Sequence, residues 1–68
     1  MTVSQHRDGN TAYATASNTC THAVRVRMIW AFAADGGCTS LPKGYAYTES
    51  RGAAALPPRP KVSEMRNC

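Results

Sequence analysis

Three cysteines, two histidines and four carboxylates are the residues of this chain that could do chemistry. Cys20-Thr21-His22 sets a thiol near an imidazole, Cys38 follows eighteen residues after Cys20, and Cys68 stands last. With His6 they hold enough nitrogen and sulfur for zinc, but structural zinc prefers paired short spacings such as C-x2-C, which this chain lacks. No metal is expected. Nucleophilic catalysis would need Cys20 activated by His22 and oriented by Asp8 or Asp35, whereas a thiol at the start of a core strand is ordinarily an inert small hydrophobe. Glycoside hydrolysis needs two carboxylates across a cleft, and scattered acids on so short a chain do not make one. The residues describe a non-enzyme without a cofactor, in which cysteines serve as covalent staples.

The 68 residues make one domain, 1–68. A chain of this size buries only about 60% of its unfolded surface, so natural solutions add disulfides or a metal. Large core candidates are Val24, Val26, Met28, Ile29, Trp30, Phe32, Leu41, Tyr45, Tyr47, Leu56, Val62 and Met65. Much of the remaining apolar content is alanine, expected to add little burial. Three cysteines allow three single pairings and leave one thiol over, and spacing alone does not choose among them. A Cys38–Cys68 bridge would close a loop of about thirty residues, worth roughly 3.5 kcal/mol on the chain-entropy model. Disulfide use implies an oxidising compartment, yet the first fifteen residues are polar and lack a signal peptide's apolar run. We therefore expect a mature secreted sequence to which Met1 has been added, the alternative being a cytosolic, reduced protein. No run approaches the length of a membrane span, so no membrane partner is expected. The net charge of +4 comes from scattered basic residues, which argues against a nucleic-acid partner.

The elements that must carry these residues read as short strands. Asp8-Gly9-Asn10 is a tight-turn signal joining a first strand to Thr11–Ser17, where Thr11, Tyr13, Thr15 and Ser17 alternate with Ala12, Ala14 and Ala16. Asn18-Thr19 makes a second turn. From Val24 to Phe32 every second residue (Val24, Val26, Met28, Trp30, Phe32) is large and apolar, with Arg25 and Arg27 opposite, so one face is buried and part of the other solvated. Asp35-Gly36-Gly37 reads as another hairpin signal, Cys38–Leu41 as a strand, and Pro42-Lys43-Gly44 as a turn or bulge. Tyr45–Arg51 alternates again, with Tyr45, Tyr47, Glu49 and Arg51 on one face. Gly52–Pro60 is a proline-rich surface loop, and Lys61–Cys68 is either a final strand or a short helical turn. About six short strands at such spacing describe an all-β sandwich or small barrel.

With cysteines and strands placed, the chain resembles the tendamistat family of small secreted α-amylase inhibitors. The likeness rests on Tyr13 seven residues before Cys20, the Val-Arg-Val-Arg strand bearing Trp30, Cys38, the Pro42-Lys43-Gly44 turn and Cys68. It covers most of residues 4–68 and implies a six-stranded β-sandwich of two three-stranded antiparallel sheets, with Cys38 bonded to Cys68. Two departures matter. The family's partner for Cys20 falls near position 4, where Ser4 stands, which implies a free Cys20 thiol. The family's inhibitory Trp-Arg-Tyr triplet, at the tip of the first hairpin, aligns with Thr11-Ala12-Tyr13, so only the tyrosine remains. Removing an arginine desolvated against carboxylates typically costs about 2 to 5 kcal/mol, so tight amylase inhibition by that route is not expected.

Arg7, just before the turn, is the residue that could supply a replacement charge. The resulting expectation is a rigid hairpin that binds a protein target, an α-amylase or another hydrolase, through Arg7, Asp8, Asn10 and Tyr13. The chain would act as a monomer, or as a dimer through Cys20. The alternative is a small basic interaction or toxin-like module acting through the Arg25/Arg27 face or the Pro57-Pro58-Arg59-Pro60 loop. Trp30 is expected in the core rather than in an exposed aromatic platform with Tyr45 and Tyr47.

Overall fold

Period-two alternation decides both where the strands run and which side chains leave water. A computed structural model describes residues 1–68 as six strands: β1 (Thr2–Asp8), β2 (Thr11–Ser17), β3 (Val24–Ala31), β4 (Thr39–Leu41), β5 (Ala46–Arg51) and β6 (Lys61–Asn67). They form two three-stranded antiparallel sheets, ordered β1-β2-β5 and β4-β3-β6. This is the sandwich that the resemblance implies, and Cys38 and Cys68 form its disulfide, leaving Cys20 free. The last segment is a strand and not a helical turn.

The core lies between an alanine face and a face of large side chains. Ala12, Ala14 and Ala16 of β2 point inward and are buried, opposite Met28 and Trp30 of β3 and Val62 of β6. The alanines therefore matter more than their size suggests. Small groups on one sheet leave room for a methionine and an indole on the other, which is how a thin sandwich fills its interior without voids. Val26 and Leu41 extend the buried set.

Three core candidates are instead exposed: Phe32, Tyr45 and Leu56. β3 ends at Ala31, and Phe32 adopts a left-handed φ of 63°, which breaks the alternation and turns its ring to solvent. Tyr45 closes the Pro42–Gly44 turn, donating its backbone N–H to the Pro42 carbonyl at 3.1 Å, with Gly44 at φ 78° as such a turn requires. Leu56 lies in the proline-rich loop. The Asp35-Gly36-Gly37 segment does not make a tight hairpin either. β4 pairs only with Val24–Val26, so the connection runs back along β3, and Gly36 N–H donates to the Met28 carbonyl at 2.9 Å. A Cβ at Gly36 would meet the end of the Glu49 side chain, which would have to move aside.

Between Ile29 and Trp30 the β3–β6 register slips, leaving Ser63 unpaired as a bulge whose hydroxyl donates to the Ile29 carbonyl at 3.1 Å. Beyond the bulge, Val62 is clipped by a side chain of the other sheet. Gln5 Nε2 donates to the Val62 carbonyl at 3.1 Å, and Val62 N–H donates to Gln5 Oε1 at 2.8 Å. One amide thus stands in for a strand at the edge where the two sheets meet.

Candidate functional site

The first hairpin turns on two residues. Asp8 and Thr11 close it, Gly9 holds φ 60°, and the positive angle at the first loop position is what a type II′ turn demands. Every residue of β1 is exposed, so the hairpin stands out as an edge. Arg7 Nη1 donates to the Gly9 carbonyl at 2.6 Å, which folds the guanidinium over the turn. Tyr13, half-buried, stacks on its cross-strand neighbour His6, with ring centroids 4.9 Å apart and planes 15° from parallel. Asp8 is exposed at the tip and makes no ion pair within 4 Å.

Asn10 faces the proline-rich loop. Its backbone carbonyl accepts from Ala54 N–H and its Oδ1 from Ala55 N–H, both at 3.1 Å. That docking buries Ala54 completely and seats the loop against the hairpin. At the same end, Arg51 Nε donates to the Ala34 carbonyl at 3.0 Å, and Ala31 pairs with Lys61. The hairpin tip, the segment after β3 and the proline-rich loop therefore gather at one end of the sandwich, which displays the side chains of Phe32 and Leu56.

Thr11, Ala12 and Tyr13, the positions where the resemblance would put a Trp-Arg-Tyr triplet, lie in β2 rather than at the tip, and Ala12 points into the core. The tip itself is Gly9-Asn10. An arginine at position 12 of this chain would have to enter the core, so any basic contact made by the hairpin must come from another residue.

Beside the hairpin, a groove of about 250 Å³ runs between β1 and the start of β6, lined among others by Gln5, Arg7, Tyr13, Ala54, Arg59 and Lys61. Gln5, His6 and Lys61 were not singled out from the sequence as binding residues, whereas Arg59 was, as part of the Pro57-Pro58-Arg59-Pro60 loop of the alternative reading. The signal for Lys61 was the charge flanking Pro60, where Arg59 and Lys61 stand either side of a buried proline. A second, shallower hollow of about 420 Å³ lies near the other end, against His22, Arg25 and Cys68.

Of the two surfaces of the alternative reading, the Arg25/Arg27 face is less available than its sequence suggests. Arg27 pairs with Asp35 at 3.8 Å, and on the neighbouring strand Arg66 pairs with Glu64 at 3.0 Å. Arg25 is exposed without a carboxylate partner. Trp30 is buried as expected; its Nε1 donates to Glu49 Oε1 at 3.1 Å, and the Arg51 guanidinium sits 4.7 Å over the ring while itself binding Glu49 at 3.1 Å. The cysteines, histidines and acids do not converge into any group of three or more that could hold a metal. Burial, and secondarily the Glu49 charge, hold the Tyr47 phenol above the ordinary tyrosine range, with the Thr39 hydroxyl opposing.

The chain matches the family described as alpha amylase inhibitor over residues 1–68. No curated protein and no solved structure matches it. The match spans the whole chain, and the protein belongs to the alpha amylase inhibitor family, whose members are proteinaceous inhibitors and not enzymes.

Proposed function

We propose that, as a member of this family, the chain is a secreted inhibitor of a glycoside hydrolase, an α-amylase first of all, and that it engages its target through the first hairpin without a Trp-Arg-Tyr triplet. The observation that carries the reading is Arg7: an exposed guanidinium fixed over a rigid turn by the Gly9 carbonyl, with no carboxylate of its own. An arginine held in place before binding loses less rotamer freedom on docking, and arginine and tyrosine are favoured at interface hot spots. Tyr13, stacked on His6, is the aromatic neighbour. Asp8 supplies an exposed acceptor at the tip, and Asn10 acts by holding the loop that flanks the hairpin.

The test is inhibition of a mammalian α-amylase by the oxidised protein, titrated to micromolar concentration. Inhibition is expected, and Arg7→Ala and Tyr13→Ala should each weaken it by about tenfold or more. Arg25→Ala/Arg27→Ala should leave it unchanged. If the double variant abolishes inhibition while Arg7→Ala does not, the contact lies on the β3 face and the hairpin reading is wrong.

A further inference from the structure

We propose that the groove between β1 and the Arg59–Lys61 segment is a subsite for acidic side chains of a protein partner, with Arg59 and Lys61 acting across from Arg7. The argument is one of charge left over. Of the four carboxylates, Asp35, Glu49 and Glu64 are engaged by Arg27, Arg51 and Arg66. Asp8 stands unpaired at the hairpin tip. Five lysines and arginines then have no carboxylate within ion-pair distance: Arg7, Arg25, Lys43, Arg59 and Lys61. Three of these five line the one groove.

The walls of that groove are fixed by bonds already described. Gln5 holds Val62 beside Lys61, Asn10 holds Ala54 and Ala55, and Arg7 is tied to Gly9. Pro60, between the two cations, is buried, so they project from an anchored segment. Ala12 and Ala54 give the groove an apolar floor. A glutamate or aspartate entering it would place its carboxylate between guanidinium and ammonium groups, where charge-assisted bonds are strong and arginine can bind both oxygens. Unpaired charge of one sign at a docking surface also speeds association and makes it salt-dependent.

The subsite rests on the inhibitor reading for the identity of its partner, and the experiment separates the two. Isotope-labelled oxidised protein is titrated with poly-L-glutamate while backbone amide shifts are followed, and the same protein and its Arg59→Glu/Lys61→Glu variant are measured for binding to α-amylase. Shifts are expected at Arg7, Ala54 and Lys61 well above those at Arg25 and Lys43, and the variant should lose them with its melting midpoint unchanged. Its affinity for the enzyme should fall about tenfold or more, with the difference shrinking at high salt. Equal shifts at Arg25 and Lys43, tighter binding of a single-stranded oligonucleotide than of poly-L-glutamate, or an enzyme affinity within about twofold of the parent in the variant would each overturn the subsite. Glutamate binding in the groove by a protein that binds no amylase supports the subsite and rejects that target.

Discussion

Asn18 and Tyr47 show two opposite fates of a polar group taken out of water. Asn18, almost fully buried, satisfies its side chain completely: Nδ2 donates to the His22 and Leu41 carbonyls at 3.0 and 2.9 Å, and Oδ1 accepts from Cys20 N–H at 2.8 Å. The Tyr47 hydroxyl is buried without a hydrogen-bond partner of proper geometry. An unmet hydroxyl costs free energy, so Tyr47→Phe should be neutral or stabilising by about 1 kcal/mol at neutral pH. The pH dependence follows from burial and the Glu49 charge, which raise the folded-state pKa of Tyr47 above its ordinary 10.0. Below that unfolded value both states hold the proton and stability is intact. As pH rises through the unfolded and then the folded pKa, the unfolded state releases its proton first and stability is lost. Urea midpoints at neutral pH and at about pH 11 should therefore converge more closely for Tyr47→Phe than for the parent. An identical alkaline loss in both would show that other groups govern it.

At the scale of elements, the two sheets are joined at one edge by a side chain rather than a strand. Gln5→Ala would strip partners from both backbone groups of Val62, a residue only 9% exposed, and should cost about 1 to 3 kcal/mol. The measurement is denaturant unfolding together with amide exchange at Val62, which should quicken more than exchange at β4. Unchanged exchange would mean that water replaces the amide without loss. This clip was not legible in the sequence, because a glutamine in a polar first strand carries no mark of a partner fifty-seven residues away. Period two, by contrast, placed β2, β3 and β5 well, since alternation is the direct imprint of a half-buried strand. It failed at Phe32, where the pattern continues one step beyond the backbone that supports it. It also undervalued the alanines, whose part depends on which residues face them and not on their own area. The hairpin around Gly9 could be read locally from turn chemistry. The groove could not, because its lining brings together residues as far apart in the chain as Arg7 of β1 and Arg59 of the loop before β6.

At the scale of the whole molecule, the staple and the core share the work of holding a thin slab together. The chain measures 38 × 19 × 13 Å along its principal axes and keeps 4226 Å² accessible, so about 60% of its unfolded surface is buried, as expected for its size. Only one of its buried side chains, Met28, is both large and fully enclosed. Domains of this length have of order 3 to 10 kcal/mol of stability in all. Against that, the Cys38–Cys68 bridge closes a loop with a sequence separation of 30, worth about 3.5 kcal/mol through the unfolded state. It also ties β6, which carries one wall of the groove, to the segment entering β4. Reduction, or Cys38→Ser/Cys68→Ser, should therefore lower the thermal midpoint by well over 10 °C, on the scale of about 4–8 °C per kcal/mol, and weaken target binding with it. Cys20→Ser should do neither, because Cys20 is outside the bridge and its backbone N–H, not its thiol, bonds Asn18. Circular dichroism melts of the three forms with and without reductant decide the matter: a reduced chain that melts like the oxidised one would place the stability in the alanine-faced core alone, and would remove the physical reason for expecting this sandwich to work only where disulfides persist.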